Sequence, residues 1–253
     1  VILPYHKIIK SKYGDQIRHL QDFSISLGWR TQYVGIETME KNGVTYYFVD
    51  NEYYFGGPIY KGGEAEGEQY AYFSRAVLEG MLKIGFIPDI LHCNDWHTAM
   101  IPMLLKTQYQ ESPLKGAKTL FTIHNMMYQG KFPFGFVRDL LDVDPKYYSS
   151  RYMEAYGCAN FMKAALVFTD KINTVSPTYA EEIKLAYYAY GMEGILNARS
   201  NDVTGILNGI DVEEFNPQTD KYIRHHYSRE DLSGKEACKQ ALMESMGLRY
   251  DPD

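Results

Sequence analysis

Residues 88–97 read Pro88-Asp-Ile-Leu-His-Cys-Asn-Asp-Trp-His97, an apolar run that ends in a group of polar side chains. The apolar part, 88–92, is bounded by turn-forming residues and is short, which predicts a buried strand. Helical spacing of apolar residues follows across 96–109 and predicts a helix. The stretch is therefore a strand-to-helix junction, with Asp95 at the exit of the strand.

The same kind of junction recurs along the chain. Further short strands are predicted at 118–123, 171–175 and 203–207, and helices at 68–84, in segments across 138–168, and at about 235–246. Strands that alternate with helices indicate β-α-β crossovers and a mostly parallel sheet, so the predicted class is α/β. A hairpin is predicted within 30–50 around Asn42-Gly43, and 56–67 is interpreted as a glycine-rich loop.

Polar side chains follow each predicted strand. His124-Asn125 comes after 118–123, Ser176-Pro177 after 171–175, and Asn208-Gly209 after 203–207. Ligands of open parallel sheets bind at the carboxyl ends of the strands. Because a polyhydroxylated ligand needs many donors and acceptors, these exits favour a sugar over an apolar ligand.

Each of these residues also has a purely structural interpretation. Asp95 can cap the helix that follows it, and Ser176-Pro177 is a good helix start. His97 can pack against a helix, and Asn208-Gly209 is a turn signal. The residue types alone leave both interpretations open at every position.

Composition excludes several classes of protein. The chain has 253 residues and a formal net charge of -6, which argues against a nucleic-acid binder that neutralises phosphates. Its longest apolar stretches, such as 164–168, are too short to cross a bilayer, and no signal-peptide pattern is present. The three cysteines are scattered and odd in number, which predicts a reducing compartment, the cytoplasm, without disulfides.

Familiar cofactor motifs are missing from the sequence. It contains no G-x-x-x-x-G-K-[ST] loop, no G-x-G-x-x-G after a strand and no G-x-S-x-G elbow. His92, Asp95 and His97 are close in sequence, but they fall on a strand and the next helix, and no cysteine pair accompanies them. Neither a metal nor a cofactor is expected.

An ordered set of strings resembles bacterial glycogen synthase and plant starch synthase. The resemblance covers nearly the whole chain, in the family's order and with its spacings. Its strings are Asn42-Gly-Val with Tyr53-Tyr-Phe55, Phe73-Ser-Arg-Ala-Val77, Pro88 to His97, Phe121-Thr-Ile-His-Asn125 with Tyr128-Gln-Gly130, Thr174-Val-Ser-Pro-Thr-Tyr179, Tyr190-Gly-Met-Glu-Gly194 and Gly205-Ile-Leu-Asn-Gly-Ile-Asp211.

The resemblance implies a Rossmann-like parallel sheet flanked by helices, the N-terminal half of a GT-B two-domain enzyme. Residues 1–253 are expected to form a starch synthase-type N-terminal catalytic domain. Val1-Ile-Leu-Pro is interpreted as the end of a buried strand. The family's opening strand and its Lys-x-Gly-Gly loop are expected before Val1, and its C-terminal nucleotide-binding domain after Asp253.

The resemblance also implies an activity. Members of the family transfer glucose from ADP-glucose, or UDP-glucose in some members, to the non-reducing end of an α-1,4-glucan, with retention at the anomeric carbon. The expected partners are these substrates and the missing C-terminal domain, and not nucleic acid or membrane. This chain by itself is expected to be inactive, because it holds half of the site.

The family's site residues carry over onto three of these strings, and Tyr72 onto a weaker match beside a fourth. His124 is the predicted catalytic residue, beside the transferred glucose. The predicted substrate-binding residues are Asp95, Trp96, Asn208, Tyr72 and Asn125. Three alternatives remain: a retaining GT-B enzyme with another sugar or acceptor, a non-catalytic glucan-binding module, and a flavodoxin-type nucleotide-binding domain.

Overall fold

A computed structural model of the chain describes residues 1–249, so the part of the predicted 1–253 domain beyond Arg249 lies outside the described residues. The chain divides into two compact units, Val1–Leu207 and a second that begins at Asn208. The first unit carries three sheets, two of four strands and a small one of three, and the hydrophobic core. The second carries one helix of 13 residues and a series of turns.

The strands found among residues 1–249 all belong to the first unit. They are β1 (Ile2–Pro4), β2 (Arg18–Leu27), β3 (Arg30–Lys41), β4 (Val44–Asp50), β5 (Ile90–Asn94), β6 (Lys118–Ile123), β7 (Lys131–Phe132), β8 (Glu154–Ala155), β9 (Cys158–Asn160), β10 (Lys171–Thr174) and β11 (Val203–Gly205).

The α-helices alternate with these strands. They are α1 (Lys7–Tyr13), α2 (Glu52–Phe55), α3 (Gly63–Lys83), α4 (Met100–Thr107), α5 (Phe134–Leu141), α6 (Phe161–Phe168), α7 (Pro177–Glu182), α8 (Ala186–Ala189), α9 (Glu193–Ala198) and α10 (Ser233–Ser245).

Two four-stranded sheets form the framework of the first unit. The strand order of the first sheet is β1-β4-β3-β2, with β1 parallel to β4 and the other pairs antiparallel. The second sheet is parallel throughout, in the order β11-β10-β6-β5. The predicted α/β class is therefore confirmed, and the carboxyl ends of four parallel strands lie at one edge.

A cavity of about 1120 Å³ separates β1 from β5, the edge strands of the two sheets. Both strands run in the same direction relative to α3. Tyr47, the partner of Ile2, contacts Phe86 just before β5, so both strands start near the carboxyl end of α3. Past the end of β5, His97 contacts Tyr70, in the amino-terminal half of α3. Past the end of β1, His6 contacts Phe55, which packs on Phe73 in the middle of the same helix. The cavity is thus a slot between two parallel edges.

The junction at 88–97 is a strand followed by a helix, as predicted, but its strand lies two residues later. β5 ends at Asn94, so Cys93 is a buried strand residue and Asp95 is the first residue after the strand. The predicted strand at 118–123 coincides with β6. The Asn42-Gly43 hairpin is also confirmed, with positive φ angles of 53° and 74° at the two turn residues.

The glycine-rich interpretation of 56–67 is wrong for its last five residues. Helix α3 begins at Gly63, because the Gly62 N–H donates to the Glu66 carboxylate at 2.7 Å and acidic residues in the first turn suit a helix N-terminus. Gly67 serves packing: a Cβ there would overlap the Phe132 ring.

Residues 138–168 are less helical than predicted. Helices α5 and α6 are separated by the hairpin β8–β9, whose turn places Tyr156 and Gly157 at φ angles of 54° and 79°. A turn of this type usually contains Asn-Gly or Asp-Gly, so Tyr-Gly gave no turn signal.

The predicted turn at Asn208-Gly209 is also wrong. In the second unit the first turn spans 212–215, because the Asp211 carboxylate accepts the N–H groups of Glu213 and Glu214 at 3.0 Å.

Candidate functional site

Asp95 joins β5 to a short 3-10 turn, Trp96–Thr98, in an unusual conformation. Its φ and ψ are 54° and 179°, a region that essentially only glycine adopts and that costs about 1–3 kcal/mol. The Asp95 N–H donates to the Thr122 carbonyl at 2.9 Å, and its carbonyl accepts the Thr98 N–H at 3.1 Å. Its side chain makes no capping bond to the turn, so the interpretation of Asp95 as a structural cap is wrong.

His124 follows β6 directly and lies beside Asp95. The His124 N–H donates to Asp95 Oδ1 at 2.9 Å, and its ring Nε2 lies 3.0 Å from Asn94 Oδ1. Because an amide oxygen only accepts, Nε2 is the donor of this bond. The structure thus brings together two predicted site residues that are 29 positions apart in the chain.

A second polar network crosses the parallel sheet, and the sequence analysis did not predict it. His92 Nε2 donates to Thr122 Oγ1 at 2.6 Å, and that hydroxyl donates to Asn173 Oδ1 at 2.5 Å. The three residues come from β5, β6 and β10. Side chains alternate between the two faces of a sheet along each strand, which was the signal available in the sequence. Only the register of the strands shows that these three side chains meet.

The loop after His124 is held by its own side chains. Asn125 Oδ1 accepts the Met127 N–H at 2.9 Å, and the Met126 N–H donates to the Tyr179 hydroxyl at 3.1 Å. The buried Gln129 amide donates to the carbonyls of Met126 and Tyr190 at 3.1 and 3.2 Å. Asn125 therefore shapes the loop, and its amide NH₂ group is its exposed polar end.

Trp96 is not the exposed wall that a sugar-binding role requires. Only 6% of it is exposed, and its ring contacts Tyr70, Phe132 and Phe161. Gly130, at a φ of 63°, lies so close that a Cβ would overlap the indole. Trp96 is therefore a buried side chain that supports the loop after His124, because aromatic side chains of the core cover its ring.

Tyr72 lies away from the strand exits. Its side chain is fully buried, its hydroxyl donates to the Tyr33 carbonyl at 2.7 Å, and its ring stacks on Tyr54 at 4.2 Å. A side chain with no exposed surface offers nothing to a sugar. We therefore leave Tyr72 out of the candidate site, because helical spacing could not show how deeply α3 is packed.

The other two strand exits differ in kind. Ser176 is a helix cap, as its structural interpretation predicts: its hydroxyl accepts the Tyr179 N–H at 3.3 Å. Asn208 is the first residue of the second unit and is exposed. Its sugar-binding role stays a prediction.

Burial governs the titration of the groups around the site. It lowers the pKa of His92, and the neighbouring His124 lowers it further. Burial also lowers the pKa of His97, against the opposing effect of Asp95 and Glu66. The imidazoles of His92 and His97 are therefore neutral at pH 7, and burial raises the pKa of the Cys93 thiol to about 12, which makes it inert.

Within residues 1–249, no group of three or more His, Cys, Asp and Glu side chains is arranged to hold a metal ion. Over the same residues, no helix combines the length and the apolar character that crossing a bilayer requires.

Fold and site together define a class: the Rossmann-like N-terminal half of a GT-B protein, with polar residues at the exits of a parallel sheet. The family model of the starch synthase catalytic domain matches residues 1–198. The chain belongs to this family.

Individual relatives agree. The chain is 46% identical over 249 residues to glycogen synthase of Geobacillus thermodenitrificans, covering 98% of this chain and 51% of that protein. It is 45% identical over 255 residues to glycogen synthase of Streptococcus equi, covering 100% and 53%. The chain thus spans about half the length of the curated relatives it matches.

A solved structure shows the same fold. The catalytic domain of starch synthase IV from Arabidopsis thaliana, bound to ADP and acarbose, matches with a TM-score of 0.80 and 31% identity. The match covers 98% of this chain and 52% of that chain.

Proposed function

We propose that this chain is the acceptor-side half of an enzyme that transfers glucose to the non-reducing end of an α-1,4-glucan in glycogen synthesis. ADP-glucose is the proposed donor, with UDP-glucose as the alternative. The family and the glycogen synthases among the relatives support this proposal. The ADP and acarbose bound by the Arabidopsis neighbour support a nucleotide-sugar donor and a glucan acceptor.

One observation carries the proposal: Asp95 is held in a strained backbone conformation with its carboxylate bonded to His124. Strain of this kind persists only where the surrounding structure imposes it, and it is concentrated at functional sites. Here it aims the carboxylate at the exit of the neighbouring strand rather than at the turn that follows Asp95.

Each residue then has a definite role. Asp95 Oδ1 holds the His124 N–H, and Oδ2, which accepts no hydrogen bond from residues 1–249, binds a sugar hydroxyl. The exposed His124 ring is fixed by Asn94 and presents Nδ1 to the reacting glucose. Asn125 holds the loop. For Asn208, a glucose-binding role is proposed on the family resemblance alone.

The departing nucleoside diphosphate gathers negative charge, which preorganised donors and cations stabilise. We assign those groups to the C-terminal domain of the longer enzyme. The half described here supplies the sugar contacts and one wall of a closed, water-poor cleft.

The slot between β1 and β5 supports the proposed domain organisation. Val1, Phe86, Ile87 and Ile90 are exposed apolar side chains along it. A strand between two parallel neighbours is buried on both faces and is apolar. We propose that the opening strand of the longer enzyme fills this slot and joins the two sheets into one.

We place the enzyme in the cytoplasm. All three cysteines, Cys93, Cys158 and Cys238, are free thiols, which suits a reducing compartment.

The test is His124→Ala in the longer enzyme, with labelled glucose transferred from ADP-glucose to glycogen. Loss of a group that contacts the reacting sugar is expected to lower kcat by about 100-fold or more. The bond that the His124 backbone donates to Asp95 is unaffected, so the melting temperature should change little. His19→Ala, on the exposed strand β2, is the matched control and should keep full activity. An unchanged kcat in His124→Ala removes His124 from the mechanism.

A further inference from the structure

A second cavity, of about 490 Å³, lies at the tip of the β2–β3 hairpin. None of its residues belongs to the candidate site at the sheet edge. They come from the hairpin tip and from α5 and its end: Gly28, Trp29, Gly135, Arg138, Asp139 and Asp142.

Trp29 is the most unusual residue of this cavity. It is 78% exposed, whereas the other tryptophan of the chain, Trp96, is 6% exposed. One face of the Trp29 ring is covered by the Arg30 guanidinium, 4.6 Å from the ring centroid. That guanidinium is anchored by Asp139 at 2.8 Å and lies 3.8 Å from Glu68. The indole is therefore held in place with its other face open.

The walls of the cavity are rigid. Gly28 is the first residue of a two-residue turn at a φ of 60°, and a Cβ there would overlap the carbonyl oxygen of Asp139. The hairpin tip thus rests directly on the backbone of α5. That helix ends in a left-handed Asp142, whose N–H donates to the Arg138 carbonyl at 3.1 Å. A preformed cavity costs a ligand little ordering.

Polar groups remain free beside the indole. The side chains of Arg138 and Asp142 make no hydrogen bond to residues 1–249, and both line the cavity. An open aromatic face attracts the weakly positive C–H groups of a pyranose ring. A carboxylate accepts from sugar hydroxyls, and a guanidinium donates to them. The carboxylates disfavour a phosphate or another anion.

We propose that this cavity, lined by Trp29 and Asp142, binds a segment of an α-1,4-glucan away from the transfer site. The choice of glucan rests on the proposed function. The volume lies in the range that small ligands occupy and suits a few sugar residues. Holding the polymer here raises the local concentration of chain ends at the transfer site, as a second binding site does in any bivalent interaction.

The test uses β-cyclodextrin, a closed ring of α-1,4-linked glucose that has no non-reducing end and so cannot be an acceptor. Tryptophan fluorescence of the 253-residue chain is titrated with this probe. Because Trp29 is exposed and Trp96 is buried, a saturable change reports on Trp29. Calorimetry on the same samples gives the affinity.

Two variants and a control make the test decisive. Trp29→Ala is expected to weaken cyclodextrin binding by about tenfold or more, as removal of a central aromatic contact does. Asp142→Asn keeps the left-handed backbone, which asparagine tolerates, and should weaken binding several-fold. Tyr222→Ala removes an aromatic side chain of similar exposure in the second unit and should bind as the parent does.

In the longer enzyme, Trp29→Ala should raise KM for glycogen about tenfold and leave kcat for a short acceptor such as maltotriose unchanged. The inference fails if cyclodextrin gives no saturable signal up to about 10 mM, a very weak affinity, or if Trp29→Ala binds it equally well. Failure of the proposed transfer function would give a different result: cyclodextrin would still bind at Trp29, but glucose transfer by the longer enzyme would not depend on His124.

Discussion

At the scale of single residues, the backbone of Asp95 is strained at a cost in stability. Its backbone lies at φ 54° and ψ 179°, where a Cβ is unfavourable, yet the residue is an aspartate. The bond from the His124 N–H to Asp95 Oδ1, at 2.9 Å, offsets part of this strain, since hydrogen bonds to charged groups contribute about 1.5–3 kcal/mol. Strain and bond together fix the carboxylate at the sheet edge.

Replacing Asp95 separates these two contributions. Asp95→Gly loses the bond but relieves the strain, so the free energy of unfolding should change by less than about 1 kcal/mol. Asp95→Ala loses the bond and keeps the strain, so it should fall by about 2 kcal/mol. Urea unfolding of both variants measures the difference, and equal losses would show that the backbone is not strained. Both variants should lose glucose transfer in the longer enzyme.

At the scale of elements, the loop 124–130 is positioned by the core beneath it. Gly130 rests on the buried indole of Trp96, and Phe132 and Phe161 pack against that indole from β7 and α6. The loop carries His124 at its other end. Trp96 therefore acts on the site through the backbone, although its ring is closed to a sugar.

Gly130→Ala tests this support. The added Cβ would overlap the Trp96 ring at a residue with a φ of 63°, so the free energy of unfolding should fall by about 3 kcal/mol. Gly194→Ala in α9 is the control: its Cβ meets open space, and a helical alanine should stabilise the chain by about 0.5–1 kcal/mol. Equal stability of the two variants would mean that the loop does not rest on Trp96.

At the scale of the whole molecule, buried imidazoles make stability depend on pH. Burial lowers the pKa values of His6, His92 and His97 below the ordinary 6.5. The unfolded chain therefore binds protons first as the pH falls, so the stability these groups contribute is complete above pH 6.5 and is lost below it. His19 acts in the opposite direction, because its bond to Glu37 raises its pKa, but it is exposed and screened.

The melting temperature is therefore expected to be lower at pH 5.5 than at pH 7.5. His92→Gln removes one of the three groups and should reduce this difference. Scanning calorimetry across the range measures both curves. A melting temperature that rises toward pH 5.5 would contradict the buried, neutral state of these imidazoles.

The slot between the sheets gives a second prediction at this scale. A longer form of the chain that carries the opening strand should protect the amides on the open edges of β1 and β5 from hydrogen exchange, because a strand between them pairs with both. The same amides should exchange rapidly in the 253-residue chain, while those of β6 stay protected in both. Rapid exchange at β1 and β5 in the longer form would place the strand elsewhere.

Local patterns determined much of this protein. The apolar run at 118–123, the Asn42-Gly43 turn and the Ser176 cap all follow from neighbouring residues, and each was correctly predicted. Placing polar residues at strand exits also required only the order of strands and helices. The meeting of Asp95 and His124 at one edge followed from that order.

Tertiary structure alone decided how deeply each side chain is buried and which partner it finds. Trp96 and Tyr72 look like ligand contacts in the sequence, yet aromatic side chains from other elements cover both. The conformation of Asp95 depends on Thr122 and His124, which belong to the next strand and its exit. Burial and long-range hydrogen bonds depend on which faces of the helices and strands pack together. The spacing of residues along one element does not show which side chains another element places against it.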